Sequence, residues 1–186
     1  MPLPADHTNQ LPLFHVVGFS GHRQLANPAG LAQVIQDTLV ALSQKSMGEW
    51  VALSSVAIGS DQVFVGKVLE LGLSWHAILP LPRTDFAMDF SAAEWLKVEK
   101  LLDAAEHVRV ITENGSREDA YLDCGMETVN GCDVLLAVWD SQPARGKGGT
   151  ADVVEYAIAL GKPVIVIDAA TLAVRREDSE FFKKTD

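Results

Sequence analysis

The sequence predicts an α/β fold, a three-layer sandwich whose mainly parallel sheet has about six strands. Two observations carry that prediction. Six short apolar runs alternate with helical patterns along the 186 residues, the arrangement that places helices on both faces of a sheet. One unit is especially clear: Asp133 to Asp168 reads as strand, glycine-rich loop, helix, strand. Its two strands, Val134 to Val138 and Pro163 to Ile167, are unbroken apolar runs, as strands buried on both faces are. The crossover between them is long enough to make them parallel, and such a unit is nearly always right-handed.

Along the chain, residues 1–12 hold three prolines among mixed polar residues and are expected to form a flexible leader. Residues 13–170 form a single ligand-binding domain and residues 171–186 a polar C-terminal tail, helical or frayed. The first strand, Phe14 to Phe19, runs into a loop of Ser20, Gly21, His22 and Arg23. Asn27-Pro28 starts a helix as cap and first-turn proline, and Leu31, Ile35, Leu39 and Leu42 mark its apolar face. Trp50 to Ile58 is the second strand. It breaks at Gly59-Ser60-Asp61, where Ser60 is expected as N-cap and Asp61 in the first turn of a helix with Phe64, Val68 and Leu71 on one face, closed by Gly72.

Trp75 to Leu79 is the third strand, stopped by Pro80-Leu81-Pro82. Arg83 to Asp89 is irregular, the kind of long connection that often covers a site. Ser91 with Glu94 makes a capping box for a helix whose Trp95, Val98, Leu102 and Ala105 share a face. Val108 to Thr112 is the fourth strand, followed by a turn at Asn114-Gly115. Ser116 with Asp119 caps a helix that runs to about Asn130 and ends at Gly131. In the last unit, Val153, Val154, Ala157, Ile158 and Leu160 fall at helical spacing, and Gly161-Lys162-Pro163 stops that helix. There is no internal repeat, low-complexity tract or domain linker.

The loop from Ser141 to Thr150 thus lies between the carboxyl end of a strand and the amino end of a helix. Open α/β sheets bind ligands there, because unpaired N–H groups and the positive end of the helix dipole face outward. Anions are the natural guests. Gly146, Gly148 and Gly149 let the backbone approach a phosphate, Arg145 and Lys147 supply charge, and Thr150 offers a cap and a hydroxyl. Ser20, Gly21, His22 and Arg23 form a second lip of the same crevice, with Arg23 placed to touch an anion. Gly59, Ser60 and Asp61 join strand to helix at the same edge, and Asp61 either complements the helix dipole or partners a ribose hydroxyl or a basic group. Arg83, just past a strand end, is a further anion contact.

Composition bounds the alternatives. The 48% hydrophobic and 22% charged content is that of a folded globular chain. A net charge of −10 disfavours a broad nucleic-acid or membrane surface, so any anion site must be local. Cys124 and Cys132 form no metal or disulfide framework and read as small core residues. No basic region followed by an apolar core marks a secretory signal, and no apolar run approaches the ~20 residues that cross a bilayer, so a cytoplasmic location is expected.

Taken together, Ser20-Gly21-His22-Arg23, Gly59-Ser60-Asp61-Gln62 and Val138-Trp139-Asp140 with Gly148-Gly149-Thr150 resemble the SLOG superfamily. That Rossmann-like group contains the lysine-decarboxylase-like LOG proteins and the DNA-processing protein A domain. The resemblance spans about Val16 to Asp168. The last unit is also similar to nucleoside 2-deoxyribosyltransferases, with the same order of Asp, Pro, Gly-Thr and Gly-Lys-Pro. Both resemblances imply a Rossmann-like fold and a nucleotide or nucleoside ligand, with phosphate or sugar over the glycine-rich loop and Asp140 beside it. No further cofactor and no metal are implied. Relatives commonly dimerise, so the resemblance also allows a homo-oligomer.

The chain departs from both families at one position. They place a glutamate three residues after the loop threonine, where it acts on the N-glycosidic bond; here that residue is Val153. The nearest acids, Asp152 and Glu155, are turned by about −100° and +200° around the helix from the expected direction. Three functions therefore stand open: a regulatory or sensory binder of a nucleotide-like ligand, a nucleotide N-glycosidase-like hydrolase or transferase drawing on Asp152, Asp61 or Glu155, and an interaction module with a vestigial site.

Overall fold

The computed structural model describes residues 14–45, 48–111, 115–144 and 146–177. The expected leader, Arg145 and the end of the polar tail lie outside them. Strands β1 (Phe14–Gly21), β2 (Glu49–Ser54), β3 (Ser74–Leu79), β4 (His107–Val110), β5 (Val134–Trp139) and β6 (Val164–Asp168) form a parallel sheet, and β7 (Val174–Glu177) joins it antiparallel to β6. The order across the sheet is β4-β3-β2-β1-β5-β6-β7. Chain order therefore runs outward in both directions from β1, and the reversal falls between β1 and β5.

The helices are α1 (Pro28–Lys45), α2 (Ser60–Glu70), the short α3 (Arg83–Phe86) followed by a 3-10 turn (Ala87–Asp89), α4 (Ala92–Asp103), α5 (Arg117–Gly131) and α6 (Thr150–Ala159). The side-chain alternation of the central strands builds the three layers. Val134, Leu136 and Val138 of β5 pack with α1, α2 and α4, through Leu31, Ile35, Phe64, Val68, Val98 and Leu102. Leu135 and Ala137 pack on the other face with Val129, Val153, Val154 and Ala157 of α5 and α6. Cys124 and Cys132 are both buried thiols in this core, and burial pushes the Cys132 thiol up to about 11.

Most helix starts follow the sequence. Asn27 Oδ1 accepts from Gly30 N at 2.9 Å ahead of α1, and Ser91–Glu94 and Ser116–Asp119 form complete capping boxes. Two starts differ: Gly59 and Gly149 are the N-caps of α2 and α6, so Ser60 and Thr150 are first helical residues. Ser20 and Gly21 belong to β1, paired with Ala137 and Val138, rather than to a loop. β2 ends at Ser54 instead of continuing to Ile58, because Val56 adopts φ 53 and its N–H turns back to Ser54 Oγ at 3.3 Å.

The tail expected from residue 171 contains β7, the seventh strand. A tight reversal sets it up: Asp168 Oδ1 accepts from Ala170 N at 3.0 Å and from Thr171 N at 2.7 Å. The stripe on α6 is narrower than its spacing suggested. Ile158 and Leu160 are 46% and 50% exposed, since Ile158 sits off the edge of the buried stripe and Leu160 is the C-cap residue.

Candidate functional site

The carboxyl ends of β1 and β5 meet at the strand-order reversal, the position at which open α/β sheets bind ligands. His22 bridges the two ends. Its N–H donates to Val138 O at 3.1 Å, and its Nε2 lies 3.1 Å from both the Asp140 amide and Asp140 Oδ1. A neutral Nε2 accepts from the amide, and a protonated one donates to the carboxylate. Asp140 Oδ1 also accepts from Gln142 N at 3.0 Å, which starts the long loop after β5.

The junction from β2 into α2 is tied down on every side. The His22 carbonyl accepts from both Ser60 N (3.1 Å) and Ser60 Oγ (2.9 Å). Gly59 has φ 99 and lies so close to the Arg23 backbone that a Cβ would overlap the Arg23 carbonyl oxygen; a Cβ on Gly21 would overlap Ser60 Oγ. Asp61, 3% exposed, turns into the protein, where its Oδ2 accepts from Ser55 Oγ at 2.8 Å and Ser54 Oγ at 3.2 Å. Burial pushes its carboxyl up to about 6 against the opposing pull of those hydroxyls. Asp61 stands in the first turn of α2, as expected, and its carboxyl is bonded to the loop after β2.

The junction from β5 into α6 is open. Gly146 and Lys147 are exposed, and Gly148, at φ 79, rests against α5, where a Cβ would come within 2.8 Å of Leu122 N. Gly149 caps α6 with no side chain accepting from the first-turn amides. The loop is lined with its own acids. Gly148 N donates to Asp152 Oδ2 at 2.8 Å. Lys147 Nζ pairs with Asp119, holding that carboxyl well below the usual carboxylate range. Asp152 is thus engaged with the loop backbone, while Val153 is 2% exposed and faces Gly125 of α5. Glu155 and Asp152 border an open groove of about 620 Å³ between α5 and α6, with Leu122, Met126 and Tyr156 on its walls. The glycine-rich loop supplies part of that lining, through Ala144, Gly146 and Lys147.

Arg83 is the predicted residue the structure sets apart: it begins α3 and its guanidinium lies 3.7 Å from Asp103, the last residue of α4. Arg23 extends from the β1 loop over the ring of Tyr121, 5.4 Å from its centroid. The Tyr121 hydroxyl donates to Asp89 Oδ2, and Arg117 Nη2 meets Asp89 Oδ1 at 2.5 Å and Asp85 O at 3.0 Å. Tyr121, Arg117 and Asp89 were not found from sequence. The Ser116 capping signal put Arg117 and Tyr121 on one face of a helix, but the stretch 83–89, expected to be irregular, folds as α3 and a 3-10 turn, and nothing in it announces which helix it will clasp. Among the described residues no three or more His, Cys, Asp or Glu side chains are grouped to hold a metal ion, and no helix is long and apolar enough to cross a membrane.

No protein-family model matches the chain, and no curated protein matches it. Solved structures do. DNA processing protein A from Streptococcus pneumoniae superposes with a TM-score of 0.60 at 17% identity over 86% of this chain, which spans 52% of that one. A molybdenum cofactor binding protein from Rippkaea orientalis gives 0.53 at 22% identity, covering 84% of this chain and 77% of the other. The structural-genomics target TM1055 gives 0.51 at 17% identity, covering 81% and 72%. These likenesses show the fold alone: a Rossmann-like α/β sandwich, as the strand-end motifs implied.

Proposed function

We propose that the chain binds a nucleotide or nucleotide-derived phosphate ligand in the crevice over β1 and β5, as a sensor or regulatory binder. The observation that carries this reading is the start of α6: an exposed glycine loop at the strand-order reversal, entering a helix that no side chain caps. Such an end presents N–H groups and the positive pole of a helix dipole to an anion. Arg23 on the opposite lip adds charge in a chain whose net charge is −10. A structural neighbour named for binding molybdenum cofactor supports small-molecule binding on this fold.

Binding is favoured over N-glycosidic cleavage because no carboxylate is aimed at the crevice from α6. The position that carries the family glutamate is buried Val153, and Asp152 is bonded to Gly148 N. Cleavage of a ribosyl bond needs a carboxylate facing the anomeric carbon.

Thermal unfolding against inorganic phosphate, ribose 5-phosphate and the nucleoside 5′-monophosphates tests the reading. A ligand at about 100 times its Kd stabilises the native state by about 2.7 kcal/mol, or several degrees for a domain of this size. No shift with any of them overturns the proposal. Free base released during prolonged incubation with the monophosphates, and abolished by Asp152→Asn, would move the conclusion to the hydrolase reading.

A further inference from the structure

We infer that Tyr121 and Asp89 are positioning residues for Arg23, holding its guanidinium as a preset anion contact at the mouth of the crevice; the inference rests on the phosphate-binding reading above. Other basic side chains are already spent on carboxylates: Arg83 on Asp103, Arg117 on Asp89, Lys147 on Asp119 and Arg175 on Glu177. Arg23 is different. Among the described residues its guanidinium makes no hydrogen bond or ion pair, and it lies instead over the Tyr121 ring.

Stacking uses the face of a guanidinium and leaves the N–H edge to donate. A long exposed side chain would otherwise lose much rotamer freedom on binding, and the platform removes that loss in advance. Both ends of Arg23 are fixed. Its backbone is pressed by Gly59, with Ser60 bonded to the neighbouring His22 carbonyl. Its platform is fixed in turn, because the Tyr121 hydroxyl donates to Asp89, whose other oxygen takes Arg117. Burial, reinforced by that bond to Asp89, pushes the Tyr121 hydroxyl's pKa up, so it stays protonated and donating. Tyr121 also touches the glycine loop: a Cβ on Gly148 would lie 3.1 Å from the Tyr121 carbonyl carbon. One residue of α5 therefore stands between the two lips of the crevice.

The test is binding of inorganic phosphate and a nucleoside 5′-monophosphate to single and double variants. Tyr121→Phe keeps the ring and loses the bond to Asp89, and should weaken both ligands about twofold; Tyr121→Leu removes the ring and should cost about fivefold. Arg23→Lys keeps the charge but cannot lie flat, and should also cost about fivefold. Arg23→Ala should cost about tenfold or more, and adding Tyr121→Leu to it should cost nothing further, since Tyr121 acts through Arg23. Losses that multiply in the double variant overturn the positioning role. A readout that needs no ligand is the Arg23 Nε–H resonance, which should lose its ring-current shift in Tyr121→Leu and keep it in Tyr121→Phe. An unmoved resonance refutes the stacking itself. Should the wild-type chain bind neither phosphate nor monophosphate while the resonance moves as expected, the phosphate reading falls and the anion-contact role falls with it, leaving only the stack.

Discussion

The junctions β2–α2 and β5–α6 look alike in sequence and are opposites in structure. Each runs from an apolar strand through glycine and a small hydroxyl residue into a helix that starts at glycine with no side-chain cap. At the first, Ser60 is fully buried, Asp61 nearly so, and the glycine is there because the Arg23 backbone passes against it. At the second, Gly146 and Lys147 are exposed, and the loop meets α5 through Gly148 and the Lys147–Asp119 pair. The β2–α2 junction is closed against the protein, and the β5–α6 junction is open to solvent. A glycine beside a helix start thus marks close approach, and the approaching group can be the protein's own main chain.

Substitutions should separate the two junctions. Gly59→Ala carries the largest expected effect: a positive φ and overlap with a backbone carbonyl that cannot move aside together cost about 4 kcal/mol, a fall in Tm of roughly 10 °C. Asp61→Asn comes next and depends on pH. The folded pKa of about 6 lies above the ordinary value of 3.8, so the native state holds the proton longer than the unfolded chain. Stability from this group is complete below pH 3.8 and is lost as pH rises through about 6, a loss of about 3 kcal/mol. Asn keeps an acceptor for the two serines without the charge, so the variant should match wild type near pH 4 and overtake it by pH 7.5 in denaturant titrations. A wild-type chain that instead gained on the variant with rising pH would contradict the buried placement.

Gly148→Ala, on the open loop, should cost about 2 kcal/mol, less than Gly59→Ala because the loop can shift from Leu122. It should weaken phosphate binding by more than its effect on Tm suggests. Lys147→Ala should leave Tm where it was, since an ion pair on the surface adds little. Equal losses from the two glycine substitutions would erase the contrast between the junctions.

The central sheet was legible because its strands are continuous apolar runs, and α4 and α5 because their capping boxes are written in adjacent residues. β7 was not: Val174–Glu177 carries three charged residues, and only pairing with β6 makes it a strand. The open loop could be placed from its flanking strand and helix. Its self-neutralised state could not, because Asp119 is 28 residues from Lys147 in sequence. Asp61 was legible as a helix-start residue, but the direction of its side chain depends on Ser54 and Ser55, which nothing local marks as its partners.

β7 has one more consequence. From this last strand, Arg175 donates to Ser141 Oγ at 2.8 Å and lies 5.8 Å from the Trp139 ring, while its Nε meets Glu177 at 2.8 Å. The ribbon that closes one margin of the sheet therefore also anchors the root of the glycine-rich segment, where Ser141 sits at φ 61. Movement of that segment must pivot beyond Ser141, so its reach is set by a part of the chain that never enters the crevice.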